Sequence, residues 1–217
     1  MYDDVAEVDA SFYIRVVKRG FDIVVGILGT VFIFFPIFIV IALFYQFGKN
    51  KGPIFFYQER MGKNYKKFKI IKFRSMVVNA EQVLEENTKL YQKYISNSYK
   101  LDPKEDPRLT GIGAFIRKFS IDEIPQFINI LKGDMSFIGP RPILEKELDE
   151  YTEDQADLLL SVKPGATGWW QVSGRSDVHY PERCELELYY VRHASLALDI
   201  KILALTIVKV LGGNGAV

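Results

Sequence analysis

The stretch RKFSIDEIPQFINILKGDMSFIGPRP, residues 117–142, concentrates the side chains most able to do chemistry. Asp122 and Glu123 are adjacent acids at the start of an expected helix, with Arg117 just upstream. Arg141 stands between Pro140 and Pro142, whose rings fix the backbone around it. An arginine on a rigid loop suits bidentate recognition of phosphate. Two carboxylates facing several arginines make chemical sense around a Mg²⁺-bound diphosphate, because Mg²⁺ takes one or two carboxylates together with phosphate oxygens. A carboxylate can also attack phosphorus directly and form an acyl phosphate. A structural reading fits the same acids. Ser120 and Glu123 have the spacing of a capping box, and acids at a helix start complement its dipole. On this segment alone both readings stand.

The elements that must position these residues follow from pattern. GPIFFYQERMGKNYKKFKIIKFRSM reads as a β-hairpin, two aromatic and β-branched runs parted by the turn signal MGKN. Asn79 caps an expected helix through about Tyr94, with Val83, Leu84, Leu90, Tyr91, Tyr94 and Ile95 on one face and Glu85–Lys89 as a favourable pair on the other. LDPKEDPRLTGIG is a loop. A helix is expected from Ser120 to Leu131, stopped at Gly133. Two polar helices follow, over 142–151 and 153–162, then the loop VKPGATGWWQVSGRS. PERCELELYYVRHA and SLALDIKILALTIVKVL close the chain as helices. The last is apolar nearly all round, so it lies in a membrane interface, packs on an anchor or sits in an ordinary core.

The longest apolar run, IVVGILGTVFIFFPIFIVIALFY (Ile23–Tyr45), carries no charge and is long enough to cross a bilayer. It exceeds a signal peptide's apolar core and lacks a cleavage site after it. Pro36 near its middle removes a backbone donor. Lys18 and Arg19 precede it, and Lys49, Lys51 and a further basic run follow it, so both flanks look cytoplasmic. A hairpin entering and leaving one leaflet and a Pro-kinked single span are both open at this point. The basic stretch KKFKIIKFRSM has a nucleic-acid reading, but directly after a membrane segment lipid headgroups or a phosphate substrate fit it better.

Of 217 residues, 48% are hydrophobic and 25% charged, which describes a folded chain rather than a disordered one. A single cysteine, Cys184, excludes an intramolecular disulfide; with only His179 and His193 besides, a His/Cys metal site is not expected. Trp169 and Trp170 fit either a core or a membrane interface.

Five pieces, in this order, resemble one family: VKRGFDIVVG, the hairpin sequence, DPRLTGIGAFIRKFSIDEIPQFINILKGDMSFIGPRP, VKPGATGWWQVSGR and YYVRHASLALDIKILALTIVKVL. The chain resembles the bacterial sugar transferases, that is, the monotopic polyprenyl-phosphate phosphoglycosyl transferases, in their minimal catalytic form without the additional N-terminal transmembrane helices of larger members. The resemblance implies a mainly helical α+β fold. An N-terminal segment, 1–47, would hold a re-entrant membrane helix broken at Pro36. A cytoplasmic catalytic domain, 48–217, would carry a small β-hairpin and interfacial helices. Many members have serine before the proline where this chain has Phe35.

By the same resemblance, Asp122 is the nucleophile toward a UDP-sugar, UMP leaves, and undecaprenyl phosphate takes the phosphosugar. Glu123 helps Asp122 hold Mg²⁺ or assists the second proton step. Arg141 and Arg117 bind phosphate, and Lys72, Arg74 and Arg175 meet nucleotide or phosphate. The implied partners are a UDP-sugar, undecaprenyl phosphate and membrane lipids at the cytoplasmic face of the bacterial inner membrane, with no nucleic acid. The sugar leans toward galactose or glucose, and the oligomeric state is open, a homodimer included. The rival readings are a membrane-associated glycosyltransferase that releases UDP and a non-catalytic scaffold of a polysaccharide complex.

Overall fold

The computed structural model describes residues 16–96, 101–174 and 178–211. Its N-terminal feature is a helical run: α1 (Lys18–Leu28), a π-bonded stretch (Gly29–Phe34) and α2 (Phe35–Phe44). Pro36 is the second residue of α2, and the interruption it forces takes the form of the wider π turn just before it. By length and composition this helix could cross a membrane. Yet it lies against the rest of the molecule along its whole length. Gly26 faces Leu131 and Gly29 faces Phe127, where a Cβ would fall 2.4 Å from the ring. Further on, Phe34, Ile41 and Tyr45 are buried with Phe73 and Ile116. The opposite face exposes Phe32 (70%), Ile39 (61%) and Leu43 (63%).

The polar groups at the start of α1 are all engaged, as buried polar groups must be. Lys18 pairs with Asp199 and donates to the Tyr190 hydroxyl at 2.9 Å. Asp22 accepts from Ser136 Oγ at 2.9 Å and from the Phe137 N–H at 2.8 Å.

The expected hairpin forms, β1 (Phe55–Met61) antiparallel to β2 (Lys67–Phe73), with Phe55 opposite Phe73. Asn64 and Tyr65 turn it with left-handed backbones. The single helix expected after Asn79 is two, α3 (Ala80–Glu85) and α4 (Thr88–Ser96). Asn87 divides them, its Oδ1 accepting from the Leu90 N–H at 3.1 Å, and the Glu85–Lys89 pair straddles the break. The continuous helix expected over Ser120–Leu131 is also divided. After α5 (Gly113–Lys118) come a 3₁₀ turn (Ile121–Glu123) and then α6 (Gln126–Lys132), which ends at Gly133 with φ 86°. Pro125, lacking an N–H, falls at the division.

A short strand, β3 (Ser136–Ile138), runs parallel to β4 (Gly165–Thr167). Between them lie a 3₁₀ segment (Glu145–Glu150), where an α-helix was expected, and α7 (Glu153–Leu160). The chain continues through α8 (Trp169–Ser173), α9 (Glu182–Arg192) and α10 (Leu196–Leu211). One face of α10 buries Ile202 against Ile138, Val172 and Tyr190, while Leu196, Ile200, Ile207 and Val208 stay exposed. Over the described residues the molecule is thus mainly helical, with one hairpin and apolar faces outward on both α1–α2 and α10.

Candidate active site

The acidic pair sits on the 3₁₀ turn between α5 and α6. Ser120 before it has φ 54° and ψ 24°, a left-handed backbone. A capping residue takes an extended backbone instead, so the capping-box reading of Glu123 loses its geometry. The Glu123 carboxylate reaches across to β2, where Lys72 Nζ donates to Oε1 at 2.8 Å. Asp122 is half-buried. Burial and the adjacent Glu123 carboxylate push its carboxyl up to about 6, against the opposite pull of Lys72 and Arg117. Tyr45, at the end of the apolar helix, lies within electrostatic reach of Asp122 and carries the Arg74 guanidinium 4.9 Å from its ring centre. The end of the apolar helix and the acidic pair are therefore neighbours.

Glu123 opens onto a cleft lined also by Lys72, Gln126, Arg60, Arg141 and Gln171, with Gly165 and Ala166 of β4. Asp122 adjoins this cleft through Glu123 but is not on its wall. The loop holding Arg141 is pinned twice: Gly165 N–H donates to the Pro140 carbonyl at 2.7 Å, and Arg141 N–H donates to Glu187 Oε2 at 2.9 Å. A Cβ on Gly165 would fall 2.1 Å from the Gly139 nitrogen, so only glycine lets β4 approach this loop. The backbone is fixed while the guanidinium points to the cleft, 5.6 Å from the centre of the Trp170 ring.

Two arginines join this region that the sequence reading gave no site role. Arg60, on β1, donates to the Pro142 carbonyl at 3.1 Å and to Gln58 Oε1 at 2.6 Å. Burial and the Arg141 charge lower its guanidinium to about 10, with Glu147 acting the other way, and it remains a cation at neutral pH. Arg183 packs over Trp170 at 4.5 Å and over Tyr180 at 4.8 Å, and donates to Glu147 Oε1 at 3.2 Å. The hairpin register sets Arg60 opposite Phe68 and carried no signal that the loop after β3 would lie beside it. Arg183 had none either, because its helix pattern reads as surface.

The other expected site residues divide. Arg117 lies in α5 and acts on Asp122 through its charge. Arg74 is set apart from the cleft: its guanidinium donates to the carbonyls of Pro53, Met76, Asn50 and Lys51 and closes the loop before β1. Arg175 lies outside the described residues. Pro36 stays in the apolar helix. Among the described residues no three His, Cys, Asp or Glu side chains converge, so an ion held by protein groups alone has no site. The donor set of Asp122 and Glu123 does fit Mg²⁺ completed by substrate phosphate oxygens.

Residues 13–213 match the family described as bacterial sugar transferase. Among similar proteins, the undecaprenyl-phosphate galactose phosphotransferase of Salmonella typhimurium is 45% identical over 93% of this chain and 42% of its own length. The exopolysaccharide production protein ExoY of Rhizobium meliloti is 39% identical over 92% of this chain and 87% of its own. The UDP-N-acetylgalactosamine-undecaprenyl-phosphate N-acetylgalactosaminephosphotransferase of Aeromonas hydrophila is 35% identical over 92% of this chain and 45% of its own. The chain thus spans less than half the length of some curated relatives and most of the length of others. With its acidic pair, its pinned Pro-Arg-Pro loop and this match over nearly all its residues, the chain belongs to the bacterial sugar transferase family.

Proposed function

We propose that this protein transfers a sugar 1-phosphate from a UDP-sugar to undecaprenyl phosphate, releasing UMP, as a membrane step in capsule or exopolysaccharide assembly. The observation that carries the reading is the acidic pair itself. Glu123 is turned away from helix capping and into a cleft that also holds Lys72, Arg60 and Arg141. The names of the relatives supply the substrate class.

In this reading an Asp122 oxygen attacks the sugar-bearing phosphorus and the bond to the UMP phosphate breaks, leaving an aspartyl phosphosugar. A phosphate oxygen of the lipid acceptor then attacks the same phosphorus and frees the Asp122 carboxylate. Arg141, fixed by Pro140 and Pro142, orients the diphosphate with its planar fork, and Arg60 adds charge from β1. Lys72 holds Glu123 in place. Asp122 and Glu123 would hold Mg²⁺, which when bound offsets the repulsion between carboxylate and diphosphate.

The membrane arrangement is part of the same reading. A 27-residue helix extends about 40 Å, more than the hydrocarbon core. A simple span would carry its two ends to opposite sides of the bilayer. Here Lys18 near the start and Tyr45 at the end both pack into one body. The helix therefore dips into one leaflet with its exposed apolar face, and the cleft stays at the cytoplasmic surface of the inner membrane. Cysteine labelling beside Lys18 and Lys49 tests this: both positions should be reached only from the cytoplasmic side, and external labelling of either would refute it.

The reaction is tested by incubating the protein with a panel of UDP-sugars that includes UDP-galactose, with Mg²⁺ but no lipid acceptor. A phosphosugar mass adduct on the wild type, absent from Asp122→Asn, is the expected result. Absence of the adduct, followed by release of UDP instead of UMP once undecaprenyl phosphate is added, would identify a glycosyltransferase moving the sugar alone.

A further inference from the structure

A second cavity opens beside the start of α1 and shares no lining residue with the catalytic cleft. It encloses about 240 Å³, and four cations stand on its wall: Lys18, Arg19, Lys63 and Lys163. Two of these are already offset. Lys18 is paired with Asp199, and Arg19 donates to the Ile130 and Leu131 carbonyls at 2.7 and 3.0 Å. The carboxylate on the wall, Asp22, is held by Ser136 and the Phe137 N–H. The Lys63 and Lys163 side chains make no ion pair or hydrogen bond among the described residues.

Lys163 is also half-buried beside like charge. A Cβ on Gly133 would lie 3.4 Å from both Lys163 Nζ and Arg19 Nη2, so two cations converge on one point. Burial and the Arg19 charge lower the Lys163 ammonium's pKa, Lys63 acts in the same direction, and Asp22 and Asp134 act against them. Asp22 and the nearby Asp134 offset this only in part, since four cations share the wall with one carboxylate, and an anion in the cavity would stabilise the excess positive charge. The surroundings say which kind. The cavity sits where α1 and α10 are tied together by Lys18 and Asp199, and both helices then expose apolar side chains: Val24 and Ile27 on α1, Leu196 and Ile200 on α10. A ligand with an anionic head and apolar tails matches both features.

We propose that this cavity holds the phosphodiester headgroup of an anionic membrane phospholipid, docked on Lys63 and Lys163, as a site separate from sugar-phosphate transfer. The inference rests on the membrane placement proposed above, and cytoplasmic burial of this helix end is what brings headgroups to the cavity. The site would fasten the start of α1 to the leaflet surface while the cleft remains free for substrates.

Native mass spectrometry of the full chain in neutral detergent tests it, with phosphatidylglycerol and phosphatidylcholine supplied in competition. The wild type should retain one phosphatidylglycerol in preference. Lys163→Gln and Lys63→Gln should each lower that retention on the order of fivefold, the worth of one lysine at an anionic lipid surface. Lys67→Gln, an exposed lysine paired with Glu145 away from the cavity, should leave it unchanged. Lys163→Gln removes a cation from beside another and Lys63 is exposed, so both variants should fold, which thermal unfolding checks. Equal retention of the two lipids, or wild-type retention by both cavity variants, would overturn the proposal. Inorganic phosphate that displaces the lipid and stabilises the wild type by itself would assign the cavity to a free anion and overturn the lipid assignment. UMP release measured in parallel separates the two readings: its absence counts against the transfer reaction and leaves lipid retention untouched.

Discussion

Two turns of this chain carry the same four-residue pattern, Ser120-Ile-Asp-Glu123 and Thr152-Glu-Asp-Gln155, and they fold in opposite ways. Thr152 is extended (φ −69°, ψ 164°), its hydroxyl accepts from the Gln155 N–H, and Gln155 Oε1 accepts in return from the Thr152 N–H at 3.1 Å. That is a complete capping box, and α7 starts from it. Ser120 instead takes the left-handed backbone, and Glu123 turns to Lys72. A non-glycine residue there costs roughly 1–2 kcal/mol, so the turn at the acidic pair is held against its local preference. The sequence pattern marks where a helix can begin. Only the strand across from it decides whether the acid serves the helix or the cleft.

The largest effect that would break this contrast is at Asp122. If it is the nucleophile, Asp122→Asn loses turnover by more than about 10³-fold in a protein that still folds and binds membrane. Glu123→Gln, which keeps a capping-type amide but not the charge, should also be severely impaired. Normal UMP release by Asp122→Asn would return the acidic pair to a structural role.

A second contrast lies between two arginines. Arg141→Lys keeps the charge and loses the fork, so UMP release should fall by about 10- to 100-fold with an unchanged melting temperature. Arg74, buried among carbonyls, should behave the other way. Arg74→Ala lowers stability by roughly 1.5–3 kcal/mol, read in a denaturant titration of detergent-solubilised protein. Loss of activity from Arg74→Ala at full stability would place that guanidinium with the substrate after all.

Glu187 gives an effect on pH dependence. It is fully buried, and burial pushes its carboxyl up to about 7 although Arg183 and the Arg141 N–H pull it down. The native state therefore holds its proton to higher pH than the unfolded chain does. Its contribution to stability is fully present below the ordinary value of 4.5 and is lost as pH rises toward about 7. Glu187→Gln should flatten that decline, measured as unfolding midpoints between those two pH values. The smallest effect belongs to the working capping box: Thr152→Ala should cost about 1 kcal/mol and leave turnover unchanged.

Much was legible from residues alone, for physical reasons that are local. Ile23–Tyr45 has no charge to solvate, so its apolar helix needed no tertiary information. The alternation and turn chemistry around Met61–Asn64 specified the hairpin, and Gly133 marked the end of α6 because a left-handed backbone suits glycine. Arg141 between two prolines was legible as a rigid cation for the same reason. What the sequence did not determine was every feature set by a distant partner. Asn87 and Pro125 divide helices whose apolar periodicity runs straight through them, since a cap or a missing donor outweighs the pattern. Arg60 lies on β1 and Arg74 just after β2. The carbonyls of Asn50, Lys51, Pro53 and Met76 consume Arg74, while the Pro142 carbonyl holds Arg60 at the cleft against the like charge of Arg141. The left-handed turn at Ser120 is of this kind too: its spacing reads as a cap, and only Lys72 on β2, brought alongside by folding, makes Glu123 a cleft residue.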